Sequence, residues 1–152
     1  MNEFKSITDV LDFAIASEQT AIDFYEKMAE NASSDAMKSV FLNFADEEKG
    51  HKHKLQNIKE SGQISISNEK VVSDLKILDY VVEKEISENM SYEDALVLAM
   101  KREKAAFRLY TKLASISTNT SYKNLFLDLA QEEAKHKLRF EIEYDERVLR
   151  EN

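Results

Sequence analysis

Residues 41–55 read FLNFADEEKGHKHKL and residues 126–140 read FLDLAQEEAKHKLRF. The same Phe-Leu, Ala, Glu-Glu, His and Lys recur at matching places, so one stretch is a copy of the other. Working outward, a shift of 85 residues aligns 18–55 with 103–140 without a gap, and 13 of the 38 positions are identical, against roughly two for unrelated sequences. The shared residues include Glu18/Glu103, Tyr25/Tyr110, Glu47/Glu132, Glu48/Glu133 and His51/His136.

Apolar residues in these copies return every three or four positions, the spacing of a helix with one buried face. Segment one runs from about Ser6 to Ala32 and segment two from the Ser33-Ser34-Asp35 turn to Gly62. Segment three starts at Ser91, and segment four runs from Tyr122 into a charged, fraying tail. Ser6 with Asp9 and Ser91 with Asp94 resemble capping boxes, and Gly62 suits a helix stop. Residues 63 to about 90 form a long crossover containing a short helix, with an apolar patch at Leu75, Ile77, Leu78, Val81 and Val82. The fold class is all-α, a four-helix bundle, and residues 1–152 make one domain.

Composition agrees and excludes much else. There is no Pro and only two Gly, so strand-and-turn architectures lack their punctuation. The formal charge of −8, from 21 basic and 29 acidic residues, opposes nucleic acid and anionic membranes as partners. No cysteine is present, which excludes disulfides, zinc ribbons, thiolate-held iron–sulfur clusters and a Cys nucleophile. The N-terminus is acidic and hydroxylated where a signal peptide would be basic and apolar, so a cytoplasmic location is expected.

The helical stripes aim chemistry inward. Glu18 lies between Leu11 and Tyr25 on the buried face, and Glu103 between Leu96 and Tyr110. Glu48 and His51 lie on the stripe of segment two, and Glu133 and His136 on that of segment four, whereas Glu47 and Glu132 fall off it and are expected in solvent. Four carboxylates in one interior cost several kcal/mol each if uncompensated. Two divalent cations would balance four Glu⁻, with two neutral His as further donors. Glu and His three residues apart sit about 60° around a helix and roughly 4.5 Å along it, so both reach one metal. One Glu from each of two helices plus Glu-x-x-His from each of two others is a known dimetal arrangement. Paired Glu–His hydrogen bonds in a polar core are the structural alternative. Tyr25 and Tyr110 are core aromatics whose hydroxyls need partners, metal ligands being the candidates, and they are the candidate catalytic residues. His53 reads as a surface residue, and Gly50 as a place for close packing.

Taken together, Glu18 with Tyr25, Glu47-Glu48-Lys49-Gly50-His51, Glu103 with Tyr110 and Glu132-Glu133-Ala134-Lys135-His136 make the chain resemble the ferritin-like superfamily. More specifically it resembles the rubrerythrin-type diiron domain, over about residues 8–145. The resemblance implies Glu48 and Glu133 as bridging ligands, with Glu18, His51, Glu103 and His136 terminal. It implies two iron ions, with manganese or zinc able to substitute, and reduction of hydrogen peroxide or oxidation of Fe²⁺ by dioxygen or peroxide. Full-length rubrerythrins carry a four-cysteine rubredoxin module and an extra glutamate three residues from the third-helix ligand. This sequence has no cysteine, and Met100 and Ala106 stand at those flanking positions.

Three functions follow as expectations. The first is a diiron oxidoreductase reducing hydrogen peroxide with electrons from an external donor such as a rubredoxin-like protein. The second is a ferroxidase serving iron storage, and the third is a non-catalytic, metal-stabilised bundle. A homodimer is expected from the resemblance and from the apolar crossover residues.

Overall fold

The computed structural model describes residues 4–67, 69–76, 80–82 and 90–151. Four long helices dominate: α1 (Ile7–Glu30), α2 (Asp35–Ser61), α4 (Tyr92–Ile116) and α5 (Thr120–Glu151), with a short α3 (Glu69–Asp74) in the crossover. The helices pack most closely as two antiparallel hairpins, α1 with α2 and α4 with α5, while α1 and α4 touch only thinly. Short loops force each hairpin, and the long crossover lets the second one lie against the first.

Local signals set the helix ends. Ser6, Ser34 and Ser91 each accept a hydrogen bond from the backbone N–H three residues on, at 3.2, 3.1 and 3.0 Å. These caps satisfy donors that a helix start otherwise leaves bare. Asp9 turns back to the backbone N–H of Lys5 at 2.9 Å, one residue before the position a capping box would use. Gly62 closes α2 at φ 63°, a left-handed conformation that glycine adopts without penalty.

Two boundary expectations need correction. α5 begins at Thr120, two residues before Tyr122, because the Asn119 side chain caps it by accepting from Ser121 and Tyr122 N–H at 2.9 and 3.3 Å. Its charged tail, expected to fray, is helical as far as Glu151. The crossover contains the expected short helix, which precedes the apolar patch, and Leu75 is buried against the bundle with Val72. Ile77 and Leu78 lie outside the described residues. The polar start of the crossover is pinned to the α4–α5 corner by an antiparallel bridge between Ile66 and Ser117. Ser67 N–H donates to Ile116 O and Thr118 N–H to Ser65 O, both at 2.9 Å.

Two apolar clusters fill the bundle at different heights. One gathers Leu11, Ala14, Leu55, Leu113, Phe126 and Leu129, and the other Phe24, Met28, Met37, Phe41, Leu96 and Phe140. Tyr110 belongs to the first and Tyr25 to the second. On all four long helices the buried Glu and His residues (Glu18, Glu48, His51, Glu103, Glu133 and His136) fall between the stretches that build these two clusters. Among the described residues, no helix is long and apolar enough to cross a membrane.

Candidate metal centre

Glu18, Glu48, His51, Glu103, Glu133 and His136 are all buried, none more than 5% exposed. One Glu comes from each of α1 and α4, and one Glu-x-x-His from each of α2 and α5. The donors fall into two overlapping groups, Glu18–Glu48–His51–Glu133 and Glu48–Glu103–Glu133–His136. Within each group one ligand atom per residue lies within 4.8 Å of all the others. Glu48 and Glu133 are the shared members, so they stand where a carboxylate could bridge two ions.

Both imidazoles turn Nδ1 inward. His51 Nδ1 lies 2.8 Å from Glu133, 3.3 Å from Glu48 and 3.8 Å from Glu18. His136 Nδ1 lies 3.4 Å from Glu48 and 3.6 Å from Glu103. The rings are almost parallel, 13° apart, with centroids separated by 6.4 Å. Each of the six residues presents a buried atom with no hydrogen-bond partner among the described residues: Glu18 Oε2, Glu48 Oε1, Glu103 Oε2, Glu133 Oε1 and the two Nδ1 atoms. Orphaned buried donors of this kind are rare in native proteins and cost free energy unless something coordinates them. Hard carboxylate oxygens with two imidazoles suit iron, manganese or zinc. The residues present therefore fit two divalent ions, whereas a self-satisfied Glu–His core would leave few such atoms.

The tyrosines cross between the repeats. Tyr25 of α1 donates to Glu103 of α4, and Tyr110 of α4 donates to Glu18 of α1. Each phenol uses one oxygen of a terminal glutamate and leaves the other facing the centre. Burial, followed by nearby carboxylate charge, pushes both phenols well above their ordinary range, so they stay protonated donors.

Protonation shows how the crowded carboxylates coexist without cations. Burial, then the charge of Glu48, raises Glu18, and burial, then the charges of Glu103 and Glu48, raises Glu133. Burial pushes Glu48 the same way, but the imidazoles of His136 and His51 close beside it overcome that and hold Glu48 below the usual range. Burial opposes charge on His136 too, yet the carboxylates of Glu103 and Glu48 beside it lift it to about 11. Protons thus do part of the compensation that cations would supply.

Glu47 is in solvent as its place off the stripe predicts, but it also makes a contact that its own helix does not suggest. It is half exposed, yet its Oε2 pairs with His136 Nε2, the ring nitrogen facing away from the centre. Glu47 is off the stripe of its own helix but long enough to reach a neighbour's histidine. The signal available in the sequence was the glutamate directly before each Glu-x-x-His. Phe44 stacks on the same ring at 3.9 Å between centroids. Glu132 makes no corresponding bond to His51 among the described residues, although Glu47, Glu132 and His136 do form a third, more exposed acidic group. His53 is exposed, and a Cβ built on Gly50 would meet nothing within 4 Å, so close packing does not explain that glycine.

The family described as Rubrerythrin matches residues 9–144. No curated protein matches the chain. A Thermotoga maritima crystal structure described as a ferritin-like diiron-carboxylate protein superposes with a TM-score of 0.77 at 20% identity, covering 96% of this chain and 99% of that one. A hypothetical protein from Pyrococcus furiosus superposes with a TM-score of 0.73 at 25% identity, covering 92% of this chain and 89% of the other. The first likeness establishes the shared fold.

Proposed function

The chain belongs to the rubrerythrin family, and on that premise we propose that it is a non-haem diiron oxidoreductase that reduces hydrogen peroxide. The observation that carries this reading is the set of six buried donors, each with an orphaned atom turned to a common centre. Glu18, Glu48, His51 and Glu133 would hold one ion, and Glu48, Glu103, Glu133 and His136 the other. Two bound irons supply a one-electron redox change each, enough for the two-electron reduction of a peroxide.

The chain's own groups do the rest. Tyr110 and Tyr25 orient the terminal carboxylates of Glu18 and Glu103 by hydrogen bonds across the bundle. Glu47 and Phe44 fix the ring of His136 so that Nδ1 faces inward. The apolar clusters above and below close the centre off along the bundle axis. The sequence has no cysteine to hold an iron–sulfur or rubredoxin-type centre, so electrons come from an external donor such as a rubredoxin-like protein.

Oxidation of Fe²⁺ for iron handling is a second reading, supported by the acidic group Glu47–Glu132–His136 beside the centre, which offers cations an approach. A homodimer belongs to the proposal as well. Its apolar basis lies less in Leu75, which is buried within the chain, than in exposed Leu127, Leu138 and Ile142 of α5. Sedimentation showing only monomer at micromolar concentration would remove it.

The deciding experiment reconstitutes the protein anaerobically with Fe²⁺ and adds hydrogen peroxide. One reaction per diferrous site is expected, followed by sustained turnover once a rubredoxin-like donor and its reductase are supplied. Fe²⁺ oxidation with no turnover from any donor would favour the second reading.

A further inference from the structure

A cavity of about 290 Å³ opens between α1 and α4 and reaches the four donor glutamates. It exists because the facing positions of these helices carry small side chains. Ala21 and Ala106 occupy equivalent places in the repeat, three residues after Glu18 and Glu103, and Ala105 is the counterpart of Thr20. Phe13, Ala16, Leu109, Val81 and Val82 add to the apolar walls, and Tyr80 and Arg102 also line the cavity. Glu18, Glu103 and Tyr110 are buried at its inner end, whereas Ser17 and Thr20 are exposed at its outer end. The Thr20 hydroxyl is used within its own helix, donating to Ala16 O at 3.1 Å. The Arg102 guanidinium lies 5.3 Å from the centroid of the Phe24 ring, over its face.

Size and lining together point to a ligand. An apolar cavity of about 150 Å³ is enough for benzene, and a water's share of liquid volume is about 30 Å³. Hydrogen peroxide has two heavy atoms and would leave most of this space to water held against Ala, Val, Leu and Phe. An uncharged molecule with a small hydrocarbon group would instead lay that group on the walls, with its polar end among the glutamates.

We infer that this cavity binds the organic part of small alkyl or aryl hydroperoxides, which extends the substrate class beyond hydrogen peroxide. The inference rests on the peroxide-reducing reading above. In the reaction, the O–O bond of ROOH breaks, and two electrons from the external donor with two protons from solvent give ROH and water.

The test pairs a binding measurement with kinetics. Cumyl alcohol, the product of cumene hydroperoxide, is titrated into zinc-loaded protein carrying labelled alanine methyls and followed by NMR. Saturable shifts at Ala21, Ala105 and Ala106 are expected. Iron-loaded protein with its reducing system is then given cumene hydroperoxide and hydrogen peroxide in separate assays. Both should be turned over, and the ratio of their kcat/KM values should fall at least tenfold in Ala106→Leu and Ala21→Leu. Thermal unfolding identifies variants that fold, and Ala105→Val is the milder substitution should either fail. Absence of shifts at these methyls, or an unchanged ratio in folded variants, would overturn the inference. Turnover of hydrogen peroxide alone would overturn it while sparing the proposed function. Turnover of neither peroxide, with the methyl shifts intact, would overturn the peroxide reading on which it rests.

Discussion

The α1–α2 and α4–α5 hairpins carry the same donors at the same places, yet their histidines are held differently. His136 has Glu47 on its outer nitrogen and Phe44 stacked on its face. At the positions equivalent to those two residues the second copy has Glu132, which makes no such bond to His51, and Leu129, which has no ring to stack. Everything that faces the centre is identical in the two copies: four glutamates, two histidines and two tyrosines that cross from one half to the other. Of the two supports, one has changed type, Phe44 against Leu129, and the other is kept as Glu132 but does not reach its histidine, so the same residue at the same repeat position takes a different role when the neighbouring helix differs.

The comparison breaks most sharply at the shared carboxylates. Glu48→Ala or Glu133→Ala removes a member of both groups and is expected to lose both metal ions, whereas Glu18→Ala or Glu103→Ala touches one group and should retain about one per chain. Metal analysis after dialysis distinguishes these results, and equal losses from all four variants would deny the bridging role.

Removing metal tests whether both halves depend on a common centre. Metal held at about a thousandfold above its dissociation constant stabilises by about 4 kcal/mol. At about 2–4 °C per kcal/mol for a chain of this size, chelation should lower Tm by roughly 10 °C. A single calorimetric transition shifted as a whole is expected, and an unchanged melt would favour a self-satisfied polar core.

The outer supports sharpen the contrast between the halves. Glu47→Gln should weaken metal affinity by about 10–100-fold, the usual effect of losing a partner to a ligating histidine. Glu132→Gln should have a much smaller effect, and chelator competition measures both. Equal losses would mean that the two histidines are supported alike. Binding should also release protons, because Glu18 and Glu133 are raised and His136 is lifted to about 11, and each must be deprotonated to ligate. Affinity therefore falls as pH falls, and Zn²⁺ titrations in buffers of different ionisation enthalpy report the proton count.

The bundle and its six inward donors were legible because helical periodicity and an internal repeat both act through spacing. Ser34, Ser91 and Gly62 marked ends because capping and left-handed backbone are local chemistry. Features that depend on a neighbouring helix were not legible. Glu47 reads as solvated on its own helix, and only the approach of α5 gives it His136. The pairing of Tyr25 with Glu103 and Tyr110 with Glu18 needed the crossing of the two halves. Asn119 reads as ordinary turn composition in the sequence, although it sits at the repeat position of Ser34 and caps its helix likewise. The Ala-lined cavity was invisible because small residues read as ordinary helix until two helices are seen to face each other.

The smallest expected effect belongs to the crossing phenols. Tyr25→Phe and Tyr110→Phe each remove one hydrogen bond to a terminal glutamate and should cost about 1–2 kcal/mol of metal-loaded stability. Denaturant unfolding measures it, and the repeat predicts near-equal values.

The dinuclear centre itself is tested most directly by titrating metal-free protein with Fe²⁺ under anaerobic conditions and following bound metal to the endpoint. Shared Glu48 and Glu133 predict two ions per chain, falling to about one in Glu18→Ala. An endpoint of one ion in the unaltered protein, or no binding at all, would contradict a two-metal site.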